Sequence, residues 1–181
     1  MTPLLPNFKM MQTPILPEMD ELWQQTIVWK PSPEQQRQFQ RLYEAVLEGN
    51  RQLNLTRITE PQEFWEKHLW DSLRGIRDLL QVDSPQRAID IGTGAGFPGI
   101  PIAIAQPTWT VTLLDSTRKK IAFVDRLLEE LEIKTATALV GRVEQVGHDP
   151  AHRQQYDLAL IRAVATANVC AEYALPLLKL G

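Results

Sequence analysis

At 181 residues, 44% of them hydrophobic, the chain can bury a real core and suits one domain of ordinary size with an added N-terminal piece. A formal net charge of −3 excludes a globally basic nucleic-acid binder, so any RNA contact must rest on local basic patches. The single Cys170 excludes an internal disulfide and fits a reducing cytoplasm, and with no apolar run long enough to span a bilayer the expectation is a protein without membrane attachment.

Residues 1–16 hold Pro3, Pro6 and Pro14 among scattered apolar residues, without helical or strand period, and read as disordered or loosely attached. Glu18 to Trp29 reads as a short helix with Leu22, Trp23, Thr26 and Trp29 along one side, broken by Lys30-Pro31. Ser32-Pro33-Glu34-Gln35 is a strong helix start: Ser32 is the N-cap, Pro33 fits the first helical position, and Gln35 completes a capping box. Phe39, Leu42, Tyr43, Val46 and Leu47 keep helical spacing until Gly49, the expected C-cap. A second helix starts at Thr59-Glu60-Pro61 and carries Phe64, Trp65, His68, Leu69, Leu73 and Ile76 near one face, its aromatics read as packing rather than stacking platforms.

Ser84-Pro85 separates this helical part from an alternating pattern that begins with a strand at residue 87. The domain expectation is therefore an N-terminal segment over 1–31, a helical extension over 32–83, and a doubly wound core over 84–181. The core strands are expected at about 87–91, 110–115, 135–140 and 156–162, with helices through Ile121 to Leu131 and through Val169, Tyr173, Leu177 and Leu178. Alternating strands and helices predict an α/β fold with a parallel sheet and right-handed crossovers.

The stretch Asp90-Ile91-Gly92-Thr93-Gly94-Ala95-Gly96-Phe97-Pro98-Gly99 joins the first strand to an apolar helix that Pro107 ends. Strand, glycine turn and helix N-terminus form a nucleotide-binding βα unit. Read from Gly94 it matches the dinucleotide pattern through Gly94, Gly96 and Gly99, which keeps an NAD-dependent oxidoreductase as an alternative. Against that, Asp90 sets a carboxylate near where a pyrophosphate would lie, and the first glycine after the strand is Gly92. The pattern suits a ligand without phosphate and with cationic groups, and S-adenosylmethionine is such a ligand.

Ligands of such sheets bind beyond the carboxyl ends of the strands. Asp115 ends the second strand about 20 residues beyond the glycine turn, where an acid holds both hydroxyls of a ribose. It, or Ser116, is also the expected cap of the following helix. Val143-Glu144 follow the third strand and are placed to frame an adenine. Arg162 ends the fourth strand and needs a partner: a methionine carboxylate, Asp90 or an RNA phosphate. Arg118-Lys119-Lys120 opens the helix after Asp115, where positive charge opposes the helix dipole, which points to a phosphate-backbone contact or to a solvated charge run. His148 and His152, without cysteines or further ligands nearby, read as solvated histidines, not a metal site.

Asn54-Leu55-Thr56, His68 with Asp71-Ser72, the glycine stretch continuing into Ile100-Pro101, Leu113-Leu114-Asp115-Ser116, Arg142-Val143-Glu144 and Arg162-Ala163, in this order, resemble the bacterial small-subunit (16S) ribosomal RNA guanine-N7 methyltransferases, also called glucose-inhibited division protein B. The resemblance covers roughly residues 33–181. It implies a class I methyltransferase fold with an N-terminal helical extension. It also implies S-adenosyl-L-methionine contacts at Gly92, Phe97, Asp115, Ser116, Thr117, Val143, Glu144 and Arg162. The implied partner is 16S ribosomal RNA or a small-subunit precursor, met by a cytoplasmic monomer. Because guanine N7 has a free lone pair and no proton to lose, no residue is named as acid or base. The family continues past the final helix with further strands, so a shortened, impaired enzyme and an inactive RNA-binding module stand as further expectations.

Overall fold

The computed structural model describes residues 14–82 and 84–180. The expected disorder of residues 1–16 falls outside these up to residue 13. From Pro14 on, the chain is attached: the Leu16 amide donates to Gln40 Oε1 at 2.8 Å, and Gln40 Nε2 donates to the Pro14 carbonyl at 3.2 Å.

The helical part comprises α1 (Asp20–Ile27), α2 (Pro33–Leu53), α3 (Pro61–Phe64), a π-helical turn (Trp65–Trp70) and α4 (Asp71–Arg74), the last three forming one continuous run. The Ser32 cap is as expected: its side chain accepts the Gln35 amide while Gln35 Oε1 accepts the Ser32 amide at 2.9 Å. In α1, Trp23 and Ile27 are buried, whereas Leu22 is exposed, so the inward face is not the one the spacing suggested. Gly49 does not end α2, which runs on to Leu53 and stops at Asn54 in the left-handed region. A Cβ on Gly49 would run into the Phe123 ring, 2.9 Å from Cδ2 and nearer still to Cε2, so this glycine serves a close helix approach rather than a turn. The π turn is marked by the Asp71 amide bonding the Glu66 carbonyl, five residues back.

The sheet follows: β1 (Arg87–Ile91), α5 (Gly99–Ala105), β2 (Thr110–Asp115), α6 (Arg118–Glu130), β3 (Ala136–Val140), α7 (Val143–Val146), β4 (Leu158–Ile161) and α8 (Ala167–Ala174). All strands are parallel, as the alternation predicts, and lie in the order β3-β2-β1-β4, the order that the family resemblance implies. Two strand and helix limits differ. Tyr156 lies outside β4 and forms a lone parallel bridge with Leu178, and α8 ends before Leu177 and Leu178. Pro176, with no amide to donate, sits just where a longer helix would need one.

One core joins Ala88, Val111 and Leu113 of the sheet to α2, α5, α6 and the aromatic residues Trp23, Phe64 and Trp65. The other face of β1, Ile89 and Ile91, packs with Leu114, Val146, Tyr156 and Leu177. Burial on both faces is what an apolar parallel strand requires. On the face of Ala88, Val111 and Leu113, α5 and α6 lie against the sheet and the helical part packs on them, with its π turn beside the glycine stretch.

Candidate active site

The turn after β1 is stitched to the neighbouring strand: the Gly92 and Thr93 amides donate to the Leu114 carbonyl at 2.8 and 2.9 Å. Gly92 has φ +75°, and a Cβ there would lie 2.5 Å from Val164 Cγ2, so only glycine fits both the turn and the wall facing it. Beneath the turn, Asp90 is fully buried. Its Oδ2 accepts the Thr93 hydroxyl at 2.6 Å and the Gly99 amide at 2.8 Å, while Oδ1 is without a hydrogen-bond partner. Burial pushes this carboxyl up to about 6, against the Thr93 and Gly99 bonds and the charge of Arg162, which favour the ionised form. Asp90 is therefore a brace, not a ligand at the cleft. Because it occupies the amide that opens α5, a pyrophosphate there would meet a carboxylate, which removes the basis of the dinucleotide alternative.

Above the carboxyl ends of the strands lies a cleft of about 340 Å³ lined by Ile91, Gly92, Leu114, Asp115, Ser116, Gly141, Arg142, Val143, Glu144, Val164 and Tyr173. β2 and β3 bring the Asp115 and Gly141 ends side by side, with the Gly141 amide donating to the Asp115 carbonyl at 3.1 Å. Asp115, 9% exposed, is held by the Gly94 and Thr117 amides. The N-cap position of α6 is Thr117, without a side-chain cap, so neither Asp115 nor Ser116 takes that position, although Asp115 serves its amide.

Of the residues singled out from the sequence, the fold gathers Gly92, Asp115, Ser116, Val143 and Glu144 on this one cleft. Phe97, Thr117 and Arg162 do not line it. Phe97 is buried, with its ring stacked on His68 at 4.4 Å and edge-on to Phe64. Arg162 does not bond Asp90, the expected partner that lies within the chain. Its guanidinium bonds Asp71, the Lys67 carbonyl and His68, and lies 5.8 Å over the Phe97 ring. His68, 8% exposed, is pushed down to about 4, first by burial and then by the Arg162 charge. Sequence reading passed over Val164 and Tyr173. Val164 follows β4 by three residues and returns over Gly92 because Ala163 takes φ +56°, and only that turn carries the signal.

His148 is exposed, whereas His152 is not merely solvated: its Nδ1 is 2.6 Å from the Tyr156 hydroxyl. Among the described residues no group of three or more His, Cys, Asp or Glu is placed to hold a metal ion, and no helix is long and apolar enough to cross a membrane.

A family model described as rRNA small subunit methyltransferase G matches residues 35–181. A Trichormus variabilis protein named ribosomal RNA small subunit methyltransferase G is 65% identical over 173 residues, covering 93% of this chain and 71% of that protein. A Nostoc punctiforme protein of the same name is 63% identical, covering 93% and 70%. An O-methyltransferase from Bacillus cereus, solved in complex with SAH, superposes with a TM-score of 0.57 at 20% identity over 90% of this chain and 68% of that one, a likeness of fold.

Proposed function

The chain belongs to the rRNA small subunit methyltransferase G family, and from that premise we propose that it transfers a methyl group from S-adenosyl-L-methionine to N7 of a guanine in 16S ribosomal RNA. The observation that carries this reading is Asp115: a carboxylate fixed by two backbone amides on the wall of a cleft at the strand ends, facing a turn that admits no Cβ. That arrangement fits a nucleoside and not a pyrophosphate.

The roles follow from chemistry. Asp115 accepts from the ribose hydroxyls, since two acceptor oxygens match a vicinal diol. Val143 opens α7, so its amide precedes any intrahelical acceptor and is available to the adenine ring, and Glu144 accepts from the adenine amino group. Ser116 and Thr117 close the turn beside the ribose, and Gly92 with Val164 bounds the far end. Phe97 and Arg162 belong to the methyl-transfer end, Phe97 as a buried platform and Arg162 as donor to an acceptor there. When bound, S-adenosylmethionine supplies an electrophilic methyl on a sulfonium. The chain's residues need only hold N7 in line with it and exclude water, because no proton leaves N7. The reading places the protein in the cytoplasm with the ribosomal small subunit or its precursor.

Small subunits lacking N7 methylation, incubated with the protein and labelled S-adenosylmethionine, should yield 7-methylguanosine on nucleoside mass spectrometry. Titration calorimetry should show binding of S-adenosylmethionine and none of NAD. Binding of NAD alone, or no methyl transfer by a protein that binds S-adenosylmethionine, overturns the assignment.

A further inference from the structure

We propose that His68 is a positioning residue: the lone pair on its Nδ1 fixes the Arg162 guanidinium at the methyl-transfer end of the site. The inference rests on the reaction proposed above and adds to it a residue that does not line the cofactor cleft.

One helical stretch holds Arg162 from three directions. Nη1 donates to the Lys67 carbonyl at 2.8 Å and to Asp71 Oδ2 at 3.0 Å, and Nη2 lies 3.3 Å from His68 Nδ1. A guanidinium has donors only, so Nδ1 must be the acceptor and His68 must be neutral at that nitrogen. The imidazole proton then sits on Nε2, which lies 2.9 Å from Thr56 Oγ1. Thr56 is itself fixed: its hydroxyl also accepts the Ile58 amide at 3.1 Å, and its backbone is bound at both ends by the Asn50 side chain. The charged groups facing the ring are Arg162, Asp71 and Glu63, and burial with the Arg162 charge outweighs the two acids, so the ring stays neutral. Stacking on Phe97, with the planes 15° apart, sets the ring's rotation.

Each part therefore has one orientation: Thr56 selects the tautomer, Phe97 the tilt, and Nδ1 the place of Nη2. Lys67 and Asp71 both bond Nη1. Without His68, the guanidinium keeps a hinge about that one nitrogen, and Nη2 is free to swing.

The test compares two amides. In His68→Asn the side-chain oxygen takes roughly the place of Nδ1 and still offers Arg162 an acceptor. In His68→Gln the polar group reaches toward the Nε2 place, and Arg162 loses its acceptor. With a hydrogen bond to a charged group at stake, His68→Gln is expected to lower kcat/KM for small-subunit methylation about tenfold or more, and His68→Asn only about threefold. In an Arg162→Gln background, His68→Gln should add less than about a twofold further loss, because it acts through a residue already removed. Equal losses in the two amides, or losses that multiply in the double variant, overturn the proposal. Should both amides fail to fold, ¹⁵N imidazole spectra of the wild-type protein decide. A neutral ring protonated on Nε2, whose Nδ1 resonance moves in Arg162→Gln, is expected, and an Nδ1-protonated ring overturns it. If the wild-type protein methylates nothing, the reaction assignment fails on its own, and the spectra still test His68.

Discussion

The Asp115 carboxylate locks the glycine turn to the end of β2: Oδ2 accepts the Gly94 amide at 3.1 Å, and Oδ1 accepts the Thr117 amide at 2.8 Å. Each oxygen spends one lone pair on the backbone and keeps another for a ligand. The residue that would read the ribose is thus also the one that shapes the turn around it.

Asp115→Ala should therefore weaken S-adenosylmethionine binding about tenfold or more, since charge-assisted hydrogen bonds disappear along with the tie to the turn. RNA affinity should hardly move. Calorimetry against S-adenosylmethionine checks this, and an unchanged dissociation constant refutes the ribose role.

Gly99→Ala should destabilise the fold by about 1–3 kcal/mol, the usual cost of forcing extra volume into a packed site. Its Cβ would come within 2.9 Å of Asp90 Oδ2 and against the Leu113 side chain, and both neighbours are buried. Denaturant titration reads the loss. A variant as stable as the parent would show that α5 can shift without cost.

Asp90 and His68 should give opposite pH dependences. The Asp90 pKa is raised from 3.8 to about 6, so its contribution is present below pH 4 and is lost as pH rises to about 6. The His68 pKa is lowered from 6.5 to about 4, so its contribution is present above pH 6.5 and is lost as pH falls toward 4. The two slopes offset each other between pH 4 and 6.5. Asp90→Asn keeps an acceptor for Thr93 and Gly99 but cannot ionise. Relative to the parent it should gain about 2 kcal/mol between pH 4.5 and 7.5. A stability difference that stays constant across that range, measured by urea unfolding, counts against a buried titrating Asp90.

Arg118, Lys119 and Lys120 open α6 with no acid in its first turn, and the next acid along the helix is Asp125. On α2, by contrast, Arg37 pairs with Glu34 and Arg51 with Glu48. Three cations at the positive end of a helix, beside the Asp115 end of the cleft, suit the phosphate backbone of the RNA. Replacing all three by alanine should weaken RNA binding and lower the log–log salt slope by about 0.7–0.9 for each phosphate left without its cation. Cofactor affinity should stay the same. A slope equal to that of the parent would make the run a solvated face.

The capping box, the parallel sheet and the cleft residues that immediately follow strands were legible in the sequence, because each depends on local spacing and on the rule that ligands sit at strand ends, whereas the strand order came with the family resemblance. What was not legible depends on partners distant in sequence. Gly49 looks like a helix stop until Phe123 is seen against it. Arg162 finds Asp71 and His68, more than 90 residues earlier. No periodicity marks that meeting, although Thr56, His68, Asp71 and Arg162 all fall in stretches that carry the family resemblance. Phe97 sits in the glycine stretch yet turns into the helical core rather than the cleft.

The π turn between α3 and α4 has a consequence of phase. One surplus residue in the helical repeat sets the stretch before it and the stretch after it out of step by about 100°. Phe64, before the turn, can then serve the aromatic core, while Asp71, after it, serves Arg162. A single-residue deletion within 65–70 would restore an even helix and leave one of these two alignments unmet. The helix is a vernier between two parts of the molecule, and its irregular turn is where the two scales are reconciled.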